Sequence, residues 1–242
     1  MTMLSVNLNK IALLRNSRGR DFPSVIRFAE RVIDLGVKGI TVHPRPDERH
    51  ITRQDVLDLS AFLRNYENVE LNIEGYPSRD FLELVFKASP AQCTLVPDSP
   101  HQLTSDHGWR VKQHRGLLVE VLGKLHSAGI RSSLFLDPDP ELVDEVSKVG
   151  GNRIELYTEE FASSFGEANE ENVWQSYAET AARATKLGIG VNGGHDLDLK
   201  NLAKFLEIPN ILEVSIGHAL IVECLEQGLA SVVQQYLRIT QG

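Results

Sequence analysis

The feature that most constrains the fold is a regular alternation of short β-branched runs with longer amphipathic stretches along the 242 residues. Eight runs are typical of strands, because they are short and rich in Val, Ile, Leu or Thr. They occupy residues 4–8, 39–43, 69–74, 93–97, 131–136, 153–158, 189–193 and 213–217. Between them, apolar residues recur every three or four positions, which predicts that a helix follows each strand.

Local signals mark where several helices begin and end. Thr52 and Asp55 resemble a capping box, and Asp139 followed by Pro140 resembles an N-cap with proline at the first helical position. Glycine is predicted to end four helices just before the next strand, at Gly36, Gly129, Gly150 and Gly188. These signals predict helix boundaries independently of the apolar periodicity.

Eight strand–helix units predict an α/β fold, the (β/α)8 TIM barrel, in which eight parallel strands close into a cylinder and ~250 residues are typical. The chain has no linker rich in Pro, Gly or Ser and no low-complexity segment, so we predict one domain that spans residues 1–242. Two excursions interrupt the pattern. They are residues 98–113 after the fourth strand and the polar residues 159–172 after the sixth, which could act as a lid.

The charge balance argues against two classes of partner. The formal net charge of −8 disfavours nonspecific nucleic-acid binding and adsorption to an anionic membrane. No apolar run approaches the ~20 residues of a membrane span, and the first residues do not resemble a signal peptide. Only two cysteines occur, Cys93 and Cys224, so no disulfide framework is expected and a cytoplasmic location is predicted.

Side chains capable of acid–base chemistry lie where the predicted strands end, which is the end at which a barrel carries its active site. His43 ends the second strand, Glu74 the third, and His195 follows the seventh. Histidine titrates near neutral pH, and partial burial raises the pKa of a glutamate. Each residue alone is more often structural, but the three together predict a general acid–base set.

Glycines and arginines at the same end are typical of phosphate sites. Gly193, Gly194 and Gly217 follow the seventh and eighth strands, where barrels often bind phosphate through backbone N–H groups and a helix N-terminus. The alternative is that these glycines only form tight turns. Arg18 and Arg45 could clamp a phosphate with two parallel hydrogen bonds.

Other polar residues receive simpler interpretations. Arg49 and Arg53 lie in the charged run DERHITR and are predicted to be solvated or ion-paired. Helix capping explains Asp139 better than metal binding does. The histidines show no HxH or HExxH spacing, so no metal site is expected. Four histidines are predicted to lie at the surface, and these are His101, His107, His114 and His126.

Eight segments carry motifs more specific than the barrel pattern. They are residues 6–19, 39–52, 71–78, 94–98, 127–137, 153–159, 187–197 and 214–221, and they cover nearly the whole chain in order. The most specific are GITVHPRPDERHIT, VNGGH and SIGHA. In these segments the chain resembles the pyridoxine 5′-phosphate synthase family, whose members close the pyridine ring of vitamin B6.

The resemblance implies a reaction between two small phosphorylated substrates, with no cofactor. One is 1-deoxy-D-xylulose 5-phosphate and the other is 3-amino-2-oxopropyl phosphate. The implied products are pyridoxine 5′-phosphate, phosphate and water. The resemblance also implies a homo-oligomer, because the family that the chain resembles forms octamers of barrels with a few extra helices.

The resemblance further implies a role for each matched residue. His43 and Glu74 would be general bases, His195 the general acid, and Glu155 would stabilise charge in the transition state. The residues that would hold the aminoketone phosphate are Asn7, Arg18, Asp196, Gly217 and His218. The residues that would hold the deoxyxylulose phosphate are Arg45, His50 and Thr104.

The chain departs from the family pattern at three places. Asn9 and Lys10 stand where many members have Asp-His. Asp196 stands where glycine is common, and it could instead cap the seventh helix. The segment that precedes Glu74 is longer than in the family, which makes Glu70 a rival for the catalytic carboxylate, although the local Asn-Ile-Glu pattern favours Glu74.

Two other functions stay open at this point. Lys10 at the end of the first strand would suit an aldolase that forms a lysine Schiff base, because glycine-rich phosphate loops are predicted nearby. A non-catalytic sensor could also retain the phosphate pocket. The acid–base residues argue against a sensor, since binding alone does not require them.

Overall fold

The computed structural model describes residues 1–98, 102 and 105–242. Eight parallel strands close into a barrel in the order of the sequence, with β8 paired to β1. The strands are β1 (Met3–Asn7), β2 (Gly39–Val42), β3 (Glu70–Gly75), β4 (Gln92–Leu95), β5 (Arg131–Leu136), β6 (Arg153–Tyr157), β7 (Gly190–Gly194) and β8 (Ile211–Ile216). The predicted TIM barrel and its eight strand positions are therefore confirmed, with strand ends shifted by no more than a few residues.

Helices surround the barrel, and three of the connections contain more than one. The helices are α1 (Asn9–Asn16), α2 (Val25–Asp34), α3 (Arg53–Leu63), α4 (Arg79–Ala88), α5 (Arg115–Ser127), α6 (Pro140–Val149), α7 (Glu159–Ser164), α8 (Glu170–Lys186), α9 (Leu202–Phe205), α10 (His218–Gln227) and α11 (Leu229–Gln241). The second helices follow β1, β6 and β8, which confirms the expectation of extra helices. No helix in these described segments has both the length and the apolar character needed to cross a bilayer.

The predicted helix signals act as expected. The Thr52 hydroxyl accepts the Asp55 N–H while the Asp55 carboxylate accepts the Thr52 N–H, so the capping box is complete. Asp139 caps α6 by accepting the Glu141 N–H at 2.8 Å. The glycines predicted to end helices have positive φ angles, a backbone conformation that glycine adopts without a steric penalty.

Residues 159–172 differ from the expected polar loop. They contain α7 and the first turn of α8, and Phe161 of α7 is completely buried. Its ring contacts the rings of Tyr177 and Phe205, with centroids 5.9 and 5.3 Å away. These aromatic contacts pack the segment into the outer wall of the barrel, so the lid interpretation gains no support from the fold.

The interior of the barrel is polar, although barrel interiors are usually filled by bulky branched residues. Hydrogen bonds join strands that are not neighbours, which places these side chains inside the cylinder. Gln92 on β4 donates to Glu213 on β8 at 3.1 Å, and Thr94 donates to Glu155 on β6 at 3.3 Å. The apolar core lies instead between the sheet and the helices, where the outward-facing strand residues are buried.

Candidate active site

The C-terminal ends of the strands surround a cavity of about 570 Å³. Residues that are far apart in the sequence meet there, because a parallel barrel brings the carboxyl ends of its strands to one mouth. The predicted residues that line the cavity are Asn7, His43, Arg45, His50, Glu74, Glu155, His195, Asp196, Gly217 and His218.

Arg18, beyond the end of α1, has an exposed side chain and is not among the residues that line the cavity. Thr104, another predicted site residue, lies outside the residues that the structure describes. Arg15, in the last turn of α1, forms an ion pair with Asp55 of α3 that fixes these helices together. Of the histidines predicted at the surface, His101 lies outside the described residues and three are exposed, namely His107, His114 and His126.

His43 and Glu74 come from neighbouring strands and lie side by side in the cavity. Nδ1 of His43 is 3.9 Å from Oε2 of Glu74, and their side chains are only 8% and 12% exposed. The His43 backbone N–H donates to Oδ1 of Asn9 at 2.9 Å, and the Asn9 N–H donates to Oδ1 of Asn7 at 3.0 Å. Asn9 therefore holds the His43 backbone with a side-chain oxygen that an aspartate would also supply.

Burial moves the pKa values of the two residues in opposite directions. Desolvation, followed by the charges of Glu213 and Asp98, raises the pKa of Glu74 to about 8. Desolvation, followed by the positive charge of Arg45, lowers the pKa of His43 well below its ordinary value. Near neutral pH the histidine is therefore unprotonated and able to accept a proton, while the carboxyl group holds one.

Glu155 adds a second buried carboxyl group to the cavity floor. Its pKa is raised well above the ordinary value, first by burial and then by the charge of Glu74. The Thr94 hydroxyl donates to its Oε2 atom. Two carboxyl groups that disfavour each other's ionisation can hold and release protons in the range where an enzyme works.

Glu70, the rival carboxylate, lies at the other end of β3. It begins the strand and forms an ion pair with Arg131, which itself begins β5. Glu74 lies four residues further along the same strand and lines the cavity. The barrel geometry therefore brings Glu74, and not Glu70, close to His43.

His195 is presented to the cavity by an unusual backbone. Its φ angle is +86°, which costs energy for a residue with a side chain and is typical of functional sites. Nδ1 of His195 lies 2.5 Å from Oδ2 of Asp196, and its ring meets the Tyr157 ring edge-on at 5.4 Å. Asp196 does not cap the short helix α9, because Asn201 occupies that N-cap position.

Close packing leaves little room for a side chain at the two glycines that end β7 and at Gly217, which follows β8. A Cβ atom on Gly194 would lie 2.9 Å from the Ser215 carbonyl oxygen, and one on Gly217 would lie 3.1 Å from Cβ of Asn7. A Cβ atom on Gly193 would lie 2.6 Å from the Phe205 ring. Gly217 has a φ of −124° and immediately precedes α10, so helix N–H groups lie at the cavity mouth, where anions bind well.

The loop after β2 brings cationic side chains to the cavity. Arg45 is buried, and it donates to Asp98 at 2.9 Å and to the Gln102 carbonyl at 3.2 Å. Burial, followed by the charges of Arg45, Lys10 and Arg49, lowers the pKa of His50 to about 4. The field in this part of the cavity therefore favours a bound anion.

Several lining residues were not predicted from the sequence. Arg49 forms the expected ion pair, with Asp47 at 2.7 Å, but it also lines the cavity. Ser215, whose buried hydroxyl has no partner among the described residues, lies on the cavity floor. Strand parity could have identified Ser215, since alternate residues of a strand share a face and Gly217 was already assigned to the site.

Solved structures of other proteins share this architecture. Phosphoribosyl anthranilate isomerase from Thermotoga maritima superposes with a TM-score of 0.64 at 11% identity, over 100% of both chains. Thiamine phosphate pyrophosphorylase from Pyrococcus furiosus gives a TM-score of 0.63 at 8% identity, over 99% of this chain and 95% of the other. At such low identity these similarities show the fold alone.

Sequence relatives are much closer. A pyridoxine 5′-phosphate synthase from Bacteroides thetaiotaomicron is 52% identical over 237 residues, which cover 98% of each chain. One from Christiangramia forsetii is 50% identical over 240 residues, which cover 99% of each. The model of the family described as pyridoxal phosphate biosynthesis protein PdxJ matches residues 4–242. With its barrel and the His43–Glu74 pair in place, the chain belongs to the PdxJ family.

Proposed function

We propose that the protein is a pyridoxine 5′-phosphate synthase, which condenses 1-deoxy-D-xylulose 5-phosphate with 3-amino-2-oxopropyl phosphate. The observation that carries the proposal is the pairing of His43 with Glu74, whose pKa values shift in opposite directions, in a cavity that also holds His195. Relatives about half identical to the chain bear the name of this enzyme.

The chemistry matches the residue types in the cavity. The amine of the aminoketone attacks the ketone of the other substrate, so the imine forms between the two substrates and no enzyme lysine is needed. Dehydration, enolisation, loss of phosphate, ring closure and aromatisation then follow. These steps require proton donors and acceptors, which each contribute about 10²–10⁴-fold in rate.

Each acidic or basic group has a role that fits its surroundings. His43 is unprotonated near neutral pH because of its burial, so it can remove a proton from the condensed intermediate. Glu74, 3.9 Å away, exchanges protons with the same intermediate. His195 acts as the acid, and Glu155 on the cavity floor stabilises charge that develops in the transition state.

Two anion-binding regions hold the substrates at opposite sides of these groups. Arg45 and His50, beside Lys10 and Arg49, bind the deoxyxylulose phosphate. The aminoketone phosphate is bound by Asn7, the backbone of Asp196, and Gly217 with His218 at the start of α10. Arg18, whose exposed side chain does not line the cavity, is assigned to the same phosphate by the family resemblance alone. Thr104 supplies a further contact to the deoxyxylulose phosphate. Two anchored phosphates bring the reacting carbons together and remove much of the entropy cost of a bimolecular step.

The direct test is an assay with both substrates and no added cofactor. We expect pyridoxine 5′-phosphate and inorganic phosphate to form together, detected by chromatography and by a phosphate assay. Omission of either substrate is the control. Folded protein that releases neither product would refute the proposal.

The two alternative functions make different predictions. An aldolase of this kind would form its Schiff base on Lys10, which lines the cavity. Borohydride would then trap a substrate adduct on that residue. Turnover that survives Lys10→Met would exclude it. A non-catalytic sensor would bind both phosphorylated compounds in a calorimeter without converting them.

A further inference from the structure

The contact between His195 and Asp196 is a feature of the cavity that the proposed roles do not use. Asp196 enters the proposed function through its backbone, but its side chain also approaches the reacting groups. Its Oδ2 atom lies 2.5 Å from Nδ1 of His195, which is shorter than the ~2.7–2.9 Å of most N–H···O hydrogen bonds to a charged acceptor. The two side chains are 29% and 36% exposed and both line the cavity.

The loop that carries this pair is held by contacts that do not involve the carboxylate. The Asp196 N–H donates to the Thr158 hydroxyl at 3.4 Å, and the Thr158 hydroxyl donates to the Gly194 carbonyl. The Asn201 side chain donates to the Asp196 carbonyl at 3.3 Å. Because the backbone is fixed in this way, the Asp196 carboxylate is available to orient the neighbouring imidazole.

We propose that Asp196 is a positioning residue for His195, which accepts the Nδ1 proton and thereby makes Nε2 the nitrogen that exchanges protons with the substrate. A carboxylate can only accept this hydrogen bond, so it selects the tautomer that carries its proton on Nδ1. The Tyr157 ring, 5.4 Å from the imidazole, restrains the plane of the ring. The inference rests on the proposed role of His195 as general acid.

The pair gives this chain a device that a glycine at position 196 lacks. When His195 carries two protons, Nδ1–H donates to Asp196 and Nε2–H points to the leaving oxygen. After transfer, the Nε2 lone pair remains and the Nδ1 proton stays in place. Because the hydrogen bond at Nδ1 fixes the orientation of the ring, the imidazole regains its proton at Nε2 without rotating.

The first test measures the tautomer directly. Protein labelled with nitrogen-15 histidine is studied by magic-angle-spinning NMR at alkaline pH, and His195→Gln identifies the His195 signals. In the wild-type protein we expect the proton on Nδ1. In Asp196→Ala we expect a larger share of the proton on Nε2. An Nε2 proton in the wild-type protein, or the same tautomer in both proteins, would overturn the inference.

The second test separates positioning from substrate binding. We expect Asp196→Ala to lower kcat by about tenfold, the lower end of what orienting partners contribute, with unchanged KM for both substrates. Asp196→Asn, which keeps a side-chain acceptor, is expected to recover part of kcat. A raised KM with unchanged kcat and tautomer would show that Asp196 only shapes the loop, and would contradict the inference.

Asp198→Asn is the matched control on the same loop, because the Asp198 carboxylate accepts the backbone N–H groups of Lys200 and Asn201 and does not line the cavity. It is expected to leave the His195 tautomer unchanged. The tautomer can be read without turnover. A wild-type protein that forms no product therefore refutes the proposed function, while its NMR spectrum still decides the role of Asp196.

Discussion

Replacing Glu74 by glutamine separates the cost of burying this carboxyl group from its chemical use. Its pKa is about 8 in the folded protein, against an ordinary value of 4.5. The unfolded chain loses the proton at lower pH than the folded chain does, so stability falls as the pH rises between these values. Each pH unit costs about 1.4 kcal/mol, which amounts to about 3 kcal/mol at neutral pH.

Glutamine has nearly the shape of the protonated acid but cannot ionise. The thermal midpoint of Glu74→Gln is therefore expected to match that of the wild-type protein near about pH 5 and to exceed it increasingly at higher pH. For a chain of this length the gain is about 4 °C per pH unit, up to about pH 8. Turnover in the two-substrate assay is expected to fall by about 10²-fold or more.

Glu70→Gln is the matched control, because it makes the same change on the same strand at the opposite end of the barrel. Glu70 is ion-paired with Arg131 outside the cavity, so we expect no gain in stability and near-normal turnover. Midpoints are compared at one protein concentration, since assembly also affects them. A constant difference between Glu74→Gln and wild type across this pH range would refute the reasoning.

Three further predictions test the cavity and the barrel interior. Because burial lowers the pKa of His43, protonation removes this base only in acid. The acid side of the kcat/KM profile should therefore fall well below about pH 6.5, and a fall centred there would indicate an ordinary environment for His43. Arg49→Ala should raise KM for the deoxyxylulose phosphate and spare KM for the aminoketone; equal changes would remove Arg49 from that subsite. Arg153→Met leaves Glu213, 2% exposed, without its 3.3 Å ion pair. It should lower the free energy of unfolding by about 3 kcal/mol in urea titrations, and an unchanged value would show that the neighbouring amides suffice.

Most of the barrel could be predicted because each strand and helix carries its own local signal. Thr52, Asp139 and the helix-ending glycines have roles that depend on nearby backbone alone. Residues 159–172 were predicted less well. Their mostly polar composition indicated a surface loop, although one apolar residue of the segment, Phe161, is buried. Phe161 is buried by Tyr177 and Phe205, which lie far from it in the sequence, and no local pattern shows that they meet.

In the candidate site, the residues on strands could be predicted from the sequence, whereas the contacts made by loop residues could not. Glu74 could be distinguished from Glu70 as the candidate catalytic residue. The two side chains share a face of β3, but they lie at opposite ends of the strand, and only its carboxyl end faces the cavity. The direction of the Arg49 side chain and the contact between Asp196 and His195 depend on loop conformation. The sequence therefore supplied the residue types, whereas the loops determine which of them approach one another.

The polar interior of the barrel connects stability with the proposed chemistry. The Thr94 hydroxyl lies within hydrogen-bond distance of Oε2 of Glu155, at 3.3 Å, and of Oδ1 of Asn72, at 3.1 Å, and Asn72 donates in turn to Thr41. Such a fully buried network holds each member in place only if its partners are satisfied. The carboxyl group on the cavity floor is thus oriented from below by side chains of β2, β3 and β4 that take no part themselves in the proposed catalysis. A barrel filled with branched apolar residues could fold equally well, but it would leave that carboxyl group without an orienting donor.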